Sequence, residues 1–117
     1  VLCTSAAGLI GSATTNVYAA TKAAVRSFSR TLSAELLPKG IRVNGISPGP
    51  VETPIMEKVG IPLNALEDAK AGFALENQMK RIGKPLEIAQ GALFLASNDS
   101  TWVAGIDLAV DGGLTQL

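Results

Sequence analysis

The chain has 117 residues, of which 47% are hydrophobic and 17% are charged, so it holds enough apolar material for one layered domain or part of one. Ten acidic and ten basic residues give no net charge, and no basic run or stripe is present, which argues against a nucleic-acid partner. The absence of histidine excludes a Ser-His-Asp triad and any His-ligated metal site, and we predict no metal.

The single cysteine, Cys3, has no partner within the chain for a disulfide or a cysteine-rich zinc site. Its apolar neighbours predict that it is buried by packing. No segment reaches the roughly 18 apolar residues of a membrane span, and Val1 leads directly into predicted structure without a charged leader. We therefore expect a cytoplasmic protein with no membrane partner.

The first predicted element is the end of a buried strand at Val1–Thr4, which leaves Ser5 at its carboxyl end and a glycine-punctuated loop after it. A helix capped by Asn16 and starting at Val17 follows, because apolar residues recur there at helical spacing. This stripe consists of Val17, Thr21, Ala24, Val25, Phe28, Leu32 and Leu36. An adjacent face of the same helix carries Tyr18, Lys22, Arg26 and Ser29.

Tyr18 and Lys22 are four residues apart, so on a helix an ammonium lies beside a phenol. A phenol alone stays protonated at neutral pH, but a cation ~5 Å away favours its ionised form by ~3 kcal/mol at an effective dielectric of ~20. Tyr18 could then exchange a proton with a reacting oxygen that Ser5, on a separate segment, hydrogen-bonds. This chemistry suits interconversion of a carbonyl and an alcohol. Taken alone, the pair is more typical of a solvated helix surface.

The predicted helix ends at the breaker Pro38–Gly40, and the alternation over Ile41–Ile46 predicts a strand before a rigid loop at Ser47–Pro50. Residues 53–78 carry prolines and a glycine between helical patches, which predicts two short helices, one of them at about 64–77. Such a segment suits a mobile lid over a pocket. Its apolar residues fit either an apolar-tolerant site or simple packing of the lid.

A further helix opens at Pro85 and runs to Ala96 or Ser97, and the last strand covers about Ile106–Val110. The alternation of strands and helices predicts an α/β fold with a parallel sheet and covering helices. Ligands in such folds bind beyond the carboxyl ends of the strands. The residues that follow predicted strands are Ser5, Pro48, Gly49 and Asp111.

Four groups of residues stand in a characteristic order and spacing. They are Ser5 with Tyr18-Ala-Ala-Thr-Lys22, Val43-Asn44 leading into Pro48–Thr53, the stretch Arg81–Ala89, and Gly105 with Val110–Gly113. Together they resemble the classical short-chain dehydrogenase/reductase family, in the subgroup of 3-oxoacyl-acyl-carrier-protein reductases and glucose dehydrogenases. The resemblance covers essentially the whole chain. It implies that residues 1–117 are the C-terminal catalytic part of a single dinucleotide-binding domain, a doubly wound Rossmann-type parallel sheet with covering helices.

By this resemblance Tyr18 is the catalytic acid/base, Lys22 favours the phenolate, and Ser5 binds and orients the substrate oxygen. The implied cofactor is NAD or NADP, the implied substrate is a small-molecule carbonyl or alcohol, and the intact protein would be a homodimer or homotetramer. The backbone of Val51 and the hydroxyl of Thr53 would lie near the nicotinamide carboxamide. The residues that would bind the cofactor are Tyr18, Lys22, Pro48, Gly49, Val51 and Thr53.

The chain departs from the family because nothing in it corresponds to the family's N-terminal half. A glycine-rich turn after the first strand, a residue that reads the ribose, and the active-site asparagine have no counterpart here. We therefore expect these residues to belong to a domain about twice as long, and the isolated piece to be inactive and poorly folded. The expected function is NAD(P)-dependent oxidoreduction by an enzyme present here as an incomplete chain. The alternative is a non-catalytic truncated remnant or a self-association module.

Two further groups of residues are expected to be architectural. Asp111–Gly113 predicts a turn that needs positive backbone dihedrals, which glycine adopts readily. Arg81, Lys84 and Glu87 are expected to fix the start of a helix and a subunit contact rather than to touch substrate.

Overall fold

The computed structural model describes all 117 residues as alternating strands and helices. The strands are β1 (Leu2–Cys3), β2 (Gly45–Pro48) and β3 (Asp107–Val110). The helices are α1 (Asn16–Leu36), α2 (Ile55–Lys58), α3 (Leu66–Glu76) and α4 (Pro85–Ala96). Short 3₁₀ turns lie at Ala6–Gly8, Leu37–Lys39, Leu63–Ala65 and Asn98–Ser100. None of the helices has both the length and the apolar character needed to cross a bilayer.

The strands form one parallel sheet in the order β1-β2-β3. Leu2 pairs with Gly45, and Gly45 pairs with Asp107. Asp107 contacts α1, whereas the neighbouring Leu108 lies on the side that α4 approaches at Gly91. Because successive residues of a strand point to opposite faces, α1 and α4 cover opposite faces of the sheet. The predicted α/β fold with a parallel sheet and covering helices is confirmed.

The fully buried side chains of helix α1 are polar. Its buried residues are Ser29 and Ser33, whereas Val17 and Phe28 are 73% and 57% exposed. Ser29 donates its hydroxyl proton back to the carbonyl of Arg26 (2.9 Å), so this small polar group is satisfied without water. The apolar stripe predicted from the sequence is therefore divided: its amino-terminal part faces away from the sheet.

The strand predicted at Ile41–Ile46 is wrong in its position, because β2 begins only at Gly45. The side chain of Asn44, the residue immediately before β2, bonds to the segment that leads into β3. Its amide nitrogen donates to the carbonyl of Val103 (3.0 Å), and its amide oxygen accepts from the backbone N–H of Ile106 (3.1 Å). These contacts hold the start of β2 against the segment that leads into β3.

The prediction that Cys3 is buried is also wrong: its side chain is exposed. Cys3 pairs with Ile46 and shares the sheet face that α4 covers. Helix α4 packs over β2 and β3 rather than over β1, so this face of β1 stays open.

Arg42 joins the carboxyl end of α4 to the turn that follows it. Its Nη1 donates to the carbonyls of Leu95 (3.1 Å) and Val103 (3.2 Å) and to the hydroxyl of Ser100 (3.0 Å). Its Nη2 donates to the carbonyl of Ser97 (2.9 Å). A cation suits this place, since a helix leaves its last carbonyls unpaired and carries partial negative charge at that end.

The start of α4 is fixed by Glu87, as the sequence predicts for this group of residues. Pro85 occupies the first turn, and Glu87 Oε2 accepts from the backbone N–H of Lys84 (2.7 Å). Arg81 forms two hydrogen bonds to the same carboxylate, 2.6 and 2.8 Å long. The hydrogen bond from Arg81, followed by that from the Lys84 backbone, lowers the pKa of Glu87 from 4.5 to about 2.

The chain buries few apolar side chains for its length. Those that are fully buried are Ala6, Val43, Ile46, Met56 and Leu95. The radius of gyration is 15.2 Å, larger than the about 13 Å expected of a compact domain of this size. The small core and the extended shape both indicate that much of the sheet's surface lacks a covering layer.

Replacing Arg42 with Ala should lower the free energy of unfolding by about 2–4 kcal/mol, because three carbonyls and a buried hydroxyl each lose a hydrogen bond from a cation. Urea denaturation of the protein measures the loss. Arg42→Lys should recover only part of it, since an ammonium lacks the planar fork. Lys39→Ala, at an exposed turn, is the control and should cost less than about 0.5 kcal/mol. Equal losses in the Arg42→Ala and Lys39→Ala proteins would contradict the assignment.

Candidate active site

A cleft of about 610 Å³ opens at the carboxyl ends of β1 and β2. This volume lies within the range of small-molecule sites, and the position is where ligands bind in parallel α/β sheets. Every site residue predicted from the sequence lines this one cleft: Ser5, Tyr18, Lys22, Pro48, Gly49, Val51 and Thr53. The fold therefore brings together residues from the β1 end, helix α1 and the loop after β2.

Ser5 lies two residues after the end of β1 and caps the 3₁₀ turn Ala6–Gly8, where the sequence predicts a loop. Its backbone is extended, and its Oγ accepts a hydrogen bond from the N–H of Ala7 (3.2 Å). Because this bond uses a lone pair of the hydroxyl, the hydroxyl proton stays free to be donated. Ser5 is thus held in place as a donor.

Tyr18 and Lys22 lie in the first two turns of α1. Lys22 Nζ is 5.7 Å from the centroid of the Tyr18 ring, within the range of cation–π attraction. The same nitrogen donates to the carbonyl of Cys3 (3.1 Å), which leaves two of its three protons for other acceptors. Tyr18 is 47% exposed. The ammonium and the phenol are therefore neighbours, as their spacing predicts.

Gly8 sets the distance between the 3₁₀ turn after Ser5 and helix α1. A Cβ added to Gly8 would lie 3.0 Å from the nitrogen of Ala23 and 3.1 Å from the carbonyl carbon of Lys22. Both are backbone atoms within a helix, and they cannot move aside independently. Glycine is therefore what allows the Ser5 turn to pack directly on the helical turn that carries Lys22.

Gly49 brings the loop after β2 against the residue after β3. Its N–H donates to the carbonyl of Val110 (3.1 Å). A Cβ added to Gly49 would lie 2.7 Å from the Cα of Asp111. The two loops therefore touch backbone to backbone at this point.

A short parallel bridge between Val51 and Gly83 holds the rest of this loop. The N–H of Gly83 donates to the carbonyl of Pro50, and the N–H of Glu52 donates to the carbonyl of Gly83, both at 2.9 Å. These two hydrogen bonds are made by the residues on either side of Val51. The N–H and C=O of Val51 itself have no partner in the chain. Thr53 likewise keeps its hydroxyl free, and both residues line the cleft.

The predicted lid forms the opposite wall with α2 and α3. Of its apolar side chains, Ile55, Met56 and Phe73 line the cleft, whereas the exposed Val59, Leu63 and Leu75 do not. The cleft is also lined by residues outside the predicted site and its motifs, among them Ile10, Ser12, Thr15, Glu76 and Leu114. Ser12 and Thr15 lie between Ser5 and Tyr18 in the sequence, and this position is the signal by which they could have been predicted to line the cleft. No local pattern marks Leu114, which the turn after β3 brings to the cleft.

Asp111 serves the turn after β3 rather than the cleft. Its carboxylate accepts from the N–H of Gly113 (2.9 Å) and from the N–H (3.0 Å) and hydroxyl (2.6 Å) of Thr115. Gly112 and Gly113 have φ of 66° and 85°. The predicted need for positive dihedrals at this turn is confirmed.

Comparison with known proteins decides the family. A family described as enoyl-(acyl carrier protein) reductase matches residues 1–115. A solved structure described as a short chain dehydrogenase/reductase family protein is 41% identical, with a TM-score of 0.82 over 98% of this chain. The chain belongs to the short-chain dehydrogenase/reductase family.

Two further relatives show the breadth of this family. The "Glucose and ribitol dehydrogenase homolog 2" of Arabidopsis thaliana is 44% identical over 95% of this chain. A structure described as "ElxO with NADP Bound" is 29% identical, with a TM-score of 0.87 over 98% of this chain. The chain covers only 37% of the Arabidopsis protein, 45% of ElxO and 44% of the structure described above. It therefore spans less than half the length of these members of the short-chain dehydrogenase/reductase family.

Gly8→Ala should destabilise the protein by about 1–3 kcal/mol, because the added methyl group presses on the backbone of α1 at Lys22 and Ala23. Chemical denaturation measures this change. Gly11→Ala is the matched control, since a Cβ there meets nothing within 4 Å. If both alanine variants were equally stable, Gly8 would not be the spacer between the Ser5 turn and α1.

Proposed function

We propose that the complete polypeptide carrying this chain is an NAD(P)-dependent oxidoreductase that interconverts a carbonyl and a secondary alcohol. The observation that carries this proposal is the meeting of Ser5, Tyr18 and Lys22 at one cleft beyond the strand ends. The three side chains offer a hydrogen-bond donor, a proton carrier and a cation, which is the set that proton transfer at a carbonyl oxygen requires.

The residues present fit a nicotinamide cofactor on the β2 side of the cleft. The free N–H and C=O of Val51 match the acceptor and donor of a carboxamide, and the Thr53 hydroxyl adds a third polar group. Lys22 keeps two protons for ribose hydroxyls. ElxO, the structural relative described with NADP bound, supports the same assignment. When bound, NAD or NADP supplies or accepts the hydride.

The protein's own part in the reaction is to hold the substrate oxygen and to move one proton. In reduction, Tyr18 gives its phenolic proton to the oxygen as the carbonyl carbon gains the hydride; in oxidation, it takes the proton back. Ser5 donates its free hydroxyl proton to the same oxygen and fixes its direction. The ammonium of Lys22 stabilises the negative charge on the phenolate.

The substrate is a small-molecule carbonyl or alcohol, with its carbon skeleton against the apolar wall of Ile55, Met56 and Phe73. Association into a homodimer or homotetramer is part of the proposal. The outward face of α1 supports it, because Val17 and Phe28 are exposed there beside small residues. A cytoplasmic location stays a prediction.

Tyr18→Phe should lower kcat by about 10²-fold or more in the complete polypeptide and leave cofactor affinity nearly unchanged, because it removes the proton and keeps the ring. Steady-state kinetics with a panel of carbonyl substrates, together with a cofactor binding assay, measures both. Arg30→Gln, at an exposed position of the same helix, is the control and should keep full turnover. Turnover of the Tyr18→Phe protein equal to wild type would remove Tyr18 from the reaction.

A second candidate is a non-catalytic remnant or self-association module. Two observations favour it: the outer edge of β1 pairs with no strand, and few apolar residues are buried. A remnant would have no need of an intact Ser5, Tyr18 and Lys22, so their presence together favours the enzyme. The coding sequence upstream of Val1 discriminates the two, since a strand followed by a glycine-rich turn supports the enzyme.

We further propose that residues 1–117 are the C-terminal catalytic part of one dinucleotide-binding domain. Residues 1–117 alone should then be inactive and should unfold without a cooperative transition, because β1 and the Cys3 face lack their covering. Calorimetry, analytical ultracentrifugation and a nicotinamide-cofactor titration of the isolated segment measure this. A cooperative, monomeric melt together with cofactor binding would contradict the domain assignment.

A further inference from the structure

Asp107, the first residue of β3, contacts both parts of the chain that carry the proposed catalytic side chains. Its Oδ1 accepts from the hydroxyl of Thr4 (2.7 Å), the residue before Ser5. Its Oδ2 accepts from Nε of Arg26 (3.1 Å), one helical turn after Lys22 on α1. The Asp107 side chain is 5% exposed, so these partners replace water that the carboxylate would otherwise bind.

The contact between Asp107 and Thr4 crosses a whole strand. Thr4 follows β1 and Asp107 begins β3, while β2 lies between them. The two side chains meet over Gly45 of β2, where an added Cβ would lie 3.3 Å from both the Cγ of Asp107 and the Cγ2 of Thr4. The missing side chain at Gly45 is therefore what gives the carboxylate access to Thr4.

Strand β1 is short and lies at the edge of the sheet. It comprises two residues, and on its β2 side the N–H of Leu2 donates to the carbonyl of Asn44 and that of Thr4 to the carbonyl of Ile46, both at 2.8 Å. The Thr4 hydroxyl lies between two acceptors, Asp107 Oδ1 and the carbonyl of Ile46 (2.8 Å). Thr4 is 2% exposed, so loss of this hydroxyl leaves a buried oxygen of Asp107 without a donor.

On the other side, Asp107 contacts α1 through Arg26. Arg26 and Lys22 are cations at i and i+4, a spacing at which like charges repel. Asp107 pairs with Arg26 and draws this face of the helix onto the sheet, which keeps Lys22 within reach of the Cys3 carbonyl. One carboxylate thus bonds to the strand end before Ser5 and to the helix that bears Tyr18.

We propose that Asp107 is a positioning residue which, through Thr4 and Arg26, fixes the separation between Ser5 and the Tyr18–Lys22 pair. Its kinetic consequence rests on the proposed function. A displacement of about 1 Å between groups that share a reacting atom lowers rates by up to about 10²-fold, so loss of the Thr4 link acts on kcat.

The test uses Thr4→Val and Thr4→Ser in the complete polypeptide, because valine keeps the shape without the donor and serine restores the donor. Ser100→Ala is the control for stability, since it removes a buried hydroxyl remote from the cleft. At a temperature where all variants are folded, we expect Thr4→Val to lose about 10-fold in kcat with KM changed less than about 3-fold. Thr4→Ser and Ser100→Ala should stay within about 2-fold of wild type.

If the role of Thr4 were purely structural, the expected results would differ. Thr4→Val would then lower the melting temperature as Ser100→Ala does, with kcat per folded molecule unchanged, and the proposal would be overturned. It would equally be overturned if Thr4→Ser lost as much kcat as Thr4→Val, because the hydroxyl would not be the cause.

Amide hydrogen exchange gives a readout that does not depend on activity. We expect Thr4→Val to raise exchange rates by about 10-fold at Ala6–Gly8 and at residues 18–22, with no such change in Ser100→Ala. If the exchange rates of both segments were unchanged in Thr4→Val, the proposal would be overturned. This test holds whether or not the wild type shows nicotinamide-dependent turnover. Turnover in wild type that survives Tyr18→Phe defeats the proposed function alone.

Discussion

A carboxylate buried between a helix and a sheet needs a partner for each oxygen, and this requirement governs how α1 sits on the fold. Asp107 finds one partner on α1 and the other beyond a neighbouring strand. Apolar contacts have little direction, whereas hydrogen bonds specify both a distance and an angle. The helix that bears Tyr18 is therefore oriented by polar contacts, with Ser29 and Ser33 beneath it.

This orientation explains why one helix serves two surfaces. The side that bonds to the sheet ends in Lys22 and Tyr18 at the cleft, while Val17 and Phe28 remain on the outside. The polar packing thus gives the cleft its cation and leaves apolar surface for contacts with other molecules.

Features that depend on local signals were predictable from the sequence. Pro85 starts α4, the tripeptide at Pro38–Gly40 ends α1, and the four-residue spacing of Tyr18 and Lys22 makes them neighbours. Features that depend on distant partners were not. The start of β2 depends on the hydrogen bonds of the Asn44 side chain to Val103 and Ile106, some 60 residues later in the chain. No periodicity of the sequence encodes these partners. The position of Cys3 depends on which strands α4 covers, which is likewise a property of the assembled sheet. That the site residues lie close together was predictable only because the carboxyl ends of parallel strands lie at the same edge of the sheet.

The contact of Gly49 with Asp111 makes the cleft wall stiff. Where two loops touch through side chains, those side chains can change rotamer and absorb small movements. Here the main chains touch, so nothing compliant lies between them. A displacement of the turn that holds Asp111 and Thr115 therefore moves Gly49, which lines the cleft. The tail of this chain is therefore a mechanical part of the binding surface, although Asp111 itself contributes no side chain to it.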